Sequence, residues 1–173
     1  MPRARALDVT EVYAEHSDFV WRSLQHLGAR GADLEDMTQE VFVVVHRKLS
    51  SFDGLSKVTT WLFGICLRVV ARHRRRAYFR FERQEAEPPE RVDTNTPEDR
   101  ATTHERTLLL ERALGRLSLE HRAVFVLFEI EGNRCEEIAE TLGVPVGTVY
   151  SRLFKARKLV ARSLERANLG VMP

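Results

Sequence analysis

The chain has 173 residues, of which 43% are apolar and 30% are charged, values that suit a globular protein of one domain or two small ones. No apolar run approaches the roughly 20 residues of a membrane span, and the basic N-terminus lacks the apolar stretch of a signal peptide, so we expect a cytoplasmic protein without membrane insertion. Its two cysteines, Cys66 and Cys135, lie far apart in the chain and suggest neither a disulfide framework nor a CxxC metal site.

Charge is unevenly distributed, although the net charge is only +2. Residues 1–83 carry 14 basic and 10 acidic side chains, residues 84–106 carry 3 and 7, and residues 107–173 carry 10 and 8. Within residues 145–166 the counts are 6 and 1. Two blocks with basic ends therefore flank an acidic strip, which indicates a polyanionic partner.

Three helices are predicted in the first block from apolar residues that recur every three or four positions. The first helix extends to Leu27 and ends at Gly28. The second is expected to begin with Asp33 as its N-cap, and the third, after a polar loop, with Thr59 or Thr60. Arginines then accumulate along the third helix.

Four more helices are predicted in the last block, and Ser118 is the expected cap of the second of them. They cover about residues 108–117, 120–131, 135–142 and 145–164. Between the blocks, residues 84–106 hold three prolines and a single large aliphatic residue, Val92. Such a segment cannot bury enough apolar surface to order itself. We interpret it as a flexible linker, with a long surface loop of a single domain as the alternative.

No segment alternates with a period of two, and no Asn-Gly hairpin signal occurs. The sequence therefore predicts an all-α fold. Two small helical domains, residues 1–83 and 107–173, are expected to be joined by the flexible acidic linker, residues 84–106.

Residues 135–158 fit a helix-turn-helix, with small Ala139 where the two helices cross and Gly143 in the turn. This assignment leaves five side chains near the start of the second helix, where a recognition helix meets base edges: Tyr150, Ser151, Arg152, Phe154 and Lys155. From these residues alone, an ordinary helical hairpin with a solvated cationic face remains the alternative.

The third helix carries arginines at i, i+4, i+7 and i+8, namely Arg68, Arg72, Arg75 and Arg76. Like charges this close repel one another, so the arrangement favours a polyanion beside the helix. Nearby aromatics, among them Phe52, Trp61 and Phe63, suit stacking on unpaired bases, although Trp61 and Phe63 suit a core equally well. On the second helix, Asp36, Gln39 and Glu40 lie away from the apolar face, a pattern most often found on solvated surface.

Three stretches together resemble bacterial RNA polymerase sigma factors: DLEDMTQEVF from residue 33, TTWLFGICLRVVARHRRR from residue 59, and GVPVGTVYSRLFKARK up to residue 158. The small size is similar to that of the extracytoplasmic-function (ECF) type of the sigma-70 superfamily. The resemblance covers about residues 9–80 and 107–165, nearly all the chain outside the linker.

The resemblance implies three binding surfaces and three partners: core RNA polymerase, promoter DNA and an anti-sigma factor. Asp36, Gln39 and Glu40 would dock on the clamp of the largest polymerase subunit. The unpaired strand of the −10 element would lie on Phe52, Trp61, Phe63, Arg68 and Arg72. The −35 duplex would lie on Tyr150, Ser151, Arg152, Phe154 and Lys155.

Two other functions are alternatives to this one. A stand-alone helix-turn-helix regulator would bind its operator as a dimer, but the sequence shows no dimerisation heptad and no ligand-sensing domain. An enzyme acting on nucleic acid needs a metal site, a phosphate loop or a nucleophile with its base, and no such grouping occurs. We therefore expect no catalytic residue, metal, cofactor or small-molecule substrate.

Overall fold

The computed structural model describes the backbone of residues 8–84 and 101–169, and the side chains of residues 8–79 and 105–167. Over these residues the chain is helical and contains no strand, which confirms the predicted all-α fold. The helices are α1 (Val9–His26), α2 (Gly31–Lys48), α3 (Val58–Gln84), α4 (Ala101–Gly115), α5 (Leu119–Phe125), α6 (Cys135–Leu142) and α7 (Val146–Leu169).

The last six residues of the predicted linker, 101–106, belong to a helix. This helix is α4, which begins at Ala101. The rest of the predicted linker, residues 85–100, lies outside the described residues.

Helices α1, α2 and α3 pack on one another as the apolar spacing predicts. Val20 and Leu24 of α1, Val41 of α2, and Leu62 and Val69 of α3 are all buried in their shared core. Cys66 of α3 is buried in this core, and Cys135 at the start of α6 is buried as well. Burial raises the pKa of the Cys66 thiol far above its ordinary value.

Two predicted helix caps were wrong, and both helices begin earlier than expected. Helix α2 begins at Gly31, which places Asp33 in the first turn, near the positive end of the helix dipole. Helix α3 begins at Val58, so Thr59 and Thr60 lie inside it. The Thr60 hydroxyl does not cap the helix but accepts a hydrogen bond from the side chain of the distant Asn133.

The predicted Ser118 cap is confirmed, because the Ser118 hydroxyl accepts from the His121 backbone N–H at 3.4 Å. The helix after it, however, is not regular throughout. After Phe125 it continues as a π-helical turn over Val126–Ile130, in which the Glu131 N–H donates to the Val126 carbonyl at 3.0 Å. This turn holds one more residue than an α-helical turn and leads into the segment before α6.

The two halves of the described chain pack against each other. The Asn133 side chain, just before α6, donates to the Thr60 hydroxyl of α3 at 2.9 Å. Glu111 of α4 lies beside His26, the last residue of α1, and Arg30, the residue before α2. Gly28 has a φ of 102°, and a Cβ there would overlap the Arg122 guanidinium of α5. Glycine thus satisfies both the backbone conformation and the close approach of the second half.

Candidate nucleic-acid interface

Helices α6 and α7 form the helix-turn-helix that the sequence predicts. Gly143 ends α6 in the left-handed conformation with a φ of 64°, and the Val144 N–H donates to the Ala139 carbonyl at 3.0 Å. Ile138 of α6 and Val149 of α7 are fully buried between the helices. The short, tight turn fixes the angle at which α7 projects its outer face.

An exposed apolar stripe runs along the outer face of α7. Val146, Tyr150 and Phe154 follow one another at i+4 spacing, so their side chains share one side of the helix. Phe154 is 73% exposed, an unusual position for a phenylalanine. Such a stripe on a second helix-turn-helix helix suits contact with thymine methyl groups in a major groove.

Polar and cationic side chains occupy the neighbouring side of α7. The Ser151 hydroxyl donates to the Thr148 carbonyl at 3.0 Å, and Lys155 is exposed. Arg152 is less accessible because its guanidinium lies 3.2 Å from the Glu120 carboxylate of α5. Of the predicted −35 residues, only Arg152 is half-buried, and the others are exposed: Tyr150, Ser151, Phe154 and Lys155.

The positive charge of this surface acts on His121 of α5. Burial, and then the charges of Lys155 and Arg152, lower the pKa of the His121 imidazole below its ordinary value.

The predicted −10 residues divide into exposed and buried members. Phe52 and Trp61 lie with ring centroids 5.0 Å apart, and both are half-buried. Phe63 is 0% exposed, so it offers no face for stacking in this conformation. Arg68 is exposed. Arg72 is partly covered because it pairs with Glu40 of α2.

Leu55, in the loop between α2 and α3, is an exposed apolar residue that the sequence pattern did not predict as part of a site. Its side chain is 90% exposed beside Gly54, and its N–H donates to the Asp53 carboxylate at 3.0 Å. In the sequence, this exposure was indicated only by the position of a single leucine within a polar loop. An apolar side chain displayed in this way suits insertion between bases.

The predicted polymerase-docking residues do not share one environment. Asp36 and Gln39 are exposed on α2. Glu40 is turned toward α3, where its carboxylate binds Arg72 and lies 2.8 Å from the His73 Nε2. Val43, one turn after Gln39 and also exposed, extends the same outer surface with an apolar side chain that the sequence analysis did not select.

Over the described residues, no group of three or more His, Cys, Asp or Glu side chains lies close enough to hold a metal ion. No described helix is both long enough and apolar enough to span a bilayer.

Known protein families account for both halves of the chain. The family described as Sigma-70 region 2 matches residues 12–80, and Sigma-70, region 4 matches residues 107–160. The ECF RNA polymerase sigma-E factor of Haemophilus influenzae is 30% identical over 77% of this chain and 75% of its own length. The chain belongs to the ECF sigma factors of RNA polymerase.

Other sigma factors support this membership. The ECF sigma factor SigE of Mycolicibacterium smegmatis is 38% identical over 86% of this chain, which spans only 58% of that relative. The Escherichia coli ECF sigma-E factor is 32% identical over 77% of this chain and 74% of its own length. These relatives do not favour the alternative of a stand-alone helix-turn-helix regulator.

Solved structures support the fold of this ECF sigma factor. The sigma factor RpoE of Bartonella quintana, solved with the anti-sigma factor NepR, superposes with a TM-score of 0.78 at 21% identity, over 90% of this chain and 96% of that one. CnrH, solved with the cytosolic domain of CnrY, gives a TM-score of 0.63 at 25% identity, over 91% and 88% of the two chains.

Proposed function

We propose that this sigma factor directs core RNA polymerase to promoters by binding DNA at two places. Region 2, residues 1–83, would bind polymerase and hold the melted −10 strand, and region 4, residues 107–173, would bind the −35 duplex. The observation that carries the proposal is the open surface of α7, where Tyr150 and Phe154 are exposed beside Lys155 on a helix-turn-helix. No catalysis by the chain itself is part of this function.

In region 2, the loop and α3 supply the parts that a single strand needs. Trp61, Phe52 and the exposed Leu55 provide apolar surface for bases, and Arg68 provides a phosphate contact. Stacking contributes about 1–3 kcal/mol per base, which offsets the few kcal/mol that unstacking each base costs.

On α2, we propose that Asp36 and Gln39 contact polymerase directly, with Val43 adding apolar contact. Region 2 and region 4 would each bind DNA weakly. Because one polymerase carries both, binding by one region raises the effective concentration of the other at the promoter. Free protein is therefore expected to bind promoter DNA weakly, and the holoenzyme tightly and in a salt-sensitive manner. The working protein would be in the cytoplasm, where polymerase and promoter DNA are found.

We also propose regulation by an anti-sigma factor, as in the Bartonella RpoE–NepR complex. The exposed apolar side chains of α7 and of the α2–α3 loop would be hidden by such a partner. This partner would compete with polymerase and DNA.

The direct test is run-off transcription with purified core polymerase on a genomic promoter pool, with sequencing of the start sites. We expect the added protein to give a set of start sites that share −35 and −10 elements. The matched control is Phe154→Ala together with Lys155→Gln, which should lose those start sites while the protein still co-purifies with core polymerase. Equal start-site profiles with and without the wild-type protein would overturn the proposal.

A further inference from the structure

The end of α4 and the C-terminal half of α7 enclose a cleft lined by three arginines. Arg162 and Arg166 belong to α7, and Arg116 directly follows the last residue of α4. Ser163 adds a hydroxyl group to the lining, and Leu159 adds an apolar side chain. Leu159, Arg162 and Arg166 are spaced at i, i+3 and i+7, so they share the side of α7 that borders the cleft. We call Arg116, Arg162 and Arg166 the cleft arginines.

The backbone on both sides of the cleft is fixed by the packing of α4 on α7. Leu117, next to Arg116, is 4% exposed, and its N–H donates to the Leu114 carbonyl at 3.0 Å. Val160, next to Leu159, is also buried. The cleft arginines themselves are nevertheless exposed to solvent. A ligand can therefore reach side chains whose backbone is already in place.

None of the cleft arginines has an acidic partner among the side chains that the structure describes. By contrast, Arg152 and Arg157 of the same helix each pair with a glutamate. Arg162 and Arg166 lie at i and i+4, a spacing at which like charges repel and destabilise a helix. Glu165, which precedes Arg166, does not line the cleft. The helix is thus left with a repulsion that a bound anion would relieve.

The helix dipole explains only part of this arrangement. Cations are favoured in the last turn of a helix, which accounts for Arg166 of α7 and for Arg116 at the end of α4. Arg162 lies about two turns before the end of α7, where the effect of the dipole has faded. Its place in the cleft therefore needs another explanation.

The cleft is small and lies apart from the exposed apolar stripe of α7. At about 1.5 Å per residue, Arg162 lies about 12 Å and Arg166 about 18 Å beyond Phe154 along the helix axis. The volume of the cleft is about 190 Å³. Because sites for drug-sized ligands hold roughly 300–1,000 Å³, this cleft suits a compact anion.

We propose that the cleft arginines and Ser163 bind a compact anion with two phosphate groups, either a free diphosphate or the diphosphate of a nucleotide. Guanidinium groups donate paired hydrogen bonds to phosphate oxygens, and the Ser163 hydroxyl can donate another. A diphosphate offers enough oxygen acceptors to bind arginines from both sides of the cleft at once. This site goes beyond the proposed promoter function and does not depend on it.

The test is isothermal titration calorimetry of the full-length chain with inorganic pyrophosphate. We expect binding that saturates at one pyrophosphate per chain. Arg162→Gln and Arg116→Gln, on opposite sides of the cleft, should each weaken this binding about tenfold, because each removes a charge-assisted hydrogen-bond donor.

The matched control is Arg157→Gln, which removes the same charge from α7 but from an ion pair with Glu129 outside the cleft. Because salt screens distant charges, its affinity for pyrophosphate should stay within about twofold of the wild type. Circular dichroism checks that each variant keeps its helicity. An absence of saturable pyrophosphate binding would overturn the site, and so would an equal loss of affinity in Arg162→Gln and Arg157→Gln.

Two further titrations identify the ligand. An affinity for ADP similar to that for pyrophosphate would support the diphosphate of a nucleotide, and much weaker ADP binding would support the free ion. A short DNA duplex of arbitrary sequence is the competitor. If the duplex displaces pyrophosphate, and Arg162→Gln lowers the salt dependence of duplex binding, the cleft is a DNA contact and the proposal fails.

These titrations contain neither polymerase nor a promoter, so they separate the cleft from the proposed function. If pyrophosphate does not bind but the run-off experiment succeeds, the promoter function stands and the cleft site fails. If pyrophosphate binds through the cleft arginines but the run-off experiment fails, the cleft site stands and the promoter function fails.

Discussion

The Glu40 carboxylate of α2 is bound to the Arg72 guanidinium of α3, and the His73 Nε2 lies 2.8 Å from the same carboxylate. One acidic side chain therefore connects the helix proposed to dock on polymerase with the helix proposed to hold DNA. A substitution of Glu40 affects both α2 and α3. Its effect on polymerase binding must therefore be compared with the effect of a variant on each of these helices.

We expect Gln39→Arg to reduce co-purification with core polymerase at least tenfold, because a charged side chain replaces an exposed docking amide. Arg72→Gln removes the same ion pair as Glu40→Gln without altering the outer surface of α2. Arg72→Gln should therefore leave co-purification with core polymerase intact. Arg72→Gln and Glu40→Gln should each lower the free energy of unfolding by about 0.5–1 kcal/mol. If Arg72→Gln weakens polymerase binding as much as Glu40→Gln does, Glu40 acts only by positioning α3.

Lys155→Gln should weaken binding to duplex DNA by a similar factor for every sequence, because phosphate contacts carry no sequence information. The slope of log K against log salt should fall by about 1. The measurement is fluorescence anisotropy of the holoenzyme on short duplexes of several sequences, each at a series of salt concentrations. Glu165→Gln, at an exposed position later in α7, is the control and should leave the slope unchanged. An unchanged slope for Lys155→Gln would remove Lys155 from the phosphate contacts.

Duplex binding should take up a proton at His121. Burial and the charges of Lys155 and Arg152 lower the pKa of His121 in the free protein, and DNA phosphates beside those cations should raise it. Because the complex then holds more protons than the free protein, affinity should increase as the pH falls below about 6.5. NMR titration of the His121 ring measures the pKa directly, and His121→Gln should remove this pH dependence. A His121 pKa that does not rise on DNA binding would contradict the prediction.

Two glycines at the helix-turn-helix should respond oppositely to alanine. Gly143→Ala forces a Cβ into the left-handed region and should lower the free energy of unfolding by about 1 kcal/mol. Gly147 lies in the first turn of α7, and a Cβ there meets no atom within 4 Å, so Gly147→Ala should stabilise by about 0.5 kcal/mol. Urea denaturation of both variants provides the comparison, and equal midpoints would show that the turn does not hold Gly143 in this conformation.

Local patterns predicted the helices well, because apolar spacing within one helix decides which face is buried. The Cys135–Leu142 helix and the turn at Gly143 agree with the prediction for this reason. The predictions that Asp33 and Thr60 cap their helices were wrong, because residue types that favour caps also occur inside helices. For Thr60 the deciding partner, Asn133, is 73 positions away.

The candidate site was predictable only in part, for the same reason. Residue types pointed to the outer face of α7, and its exposure agrees with them. They did not reveal that Glu40 faces Arg72, nor that Phe63 is buried, since both depend on how helices pack. Exposure of Leu55 likewise became visible only with the loop in place.

The π-helical turn at Val126–Ile130 positions the backbone of the short segment that leads into α6. The Asn133 N–H donates to the Leu127 carbonyl at 2.9 Å, so Asn133 takes its position directly from this turn. Deleting a single residue there would convert the π-helical turn into an ordinary α-helical turn and change which carbonyl the Asn133 N–H can reach. The Asn133 amide would then lose its position opposite Thr60, so a one-codon deletion far from α3 would remove a buried hydrogen bond made by that helix.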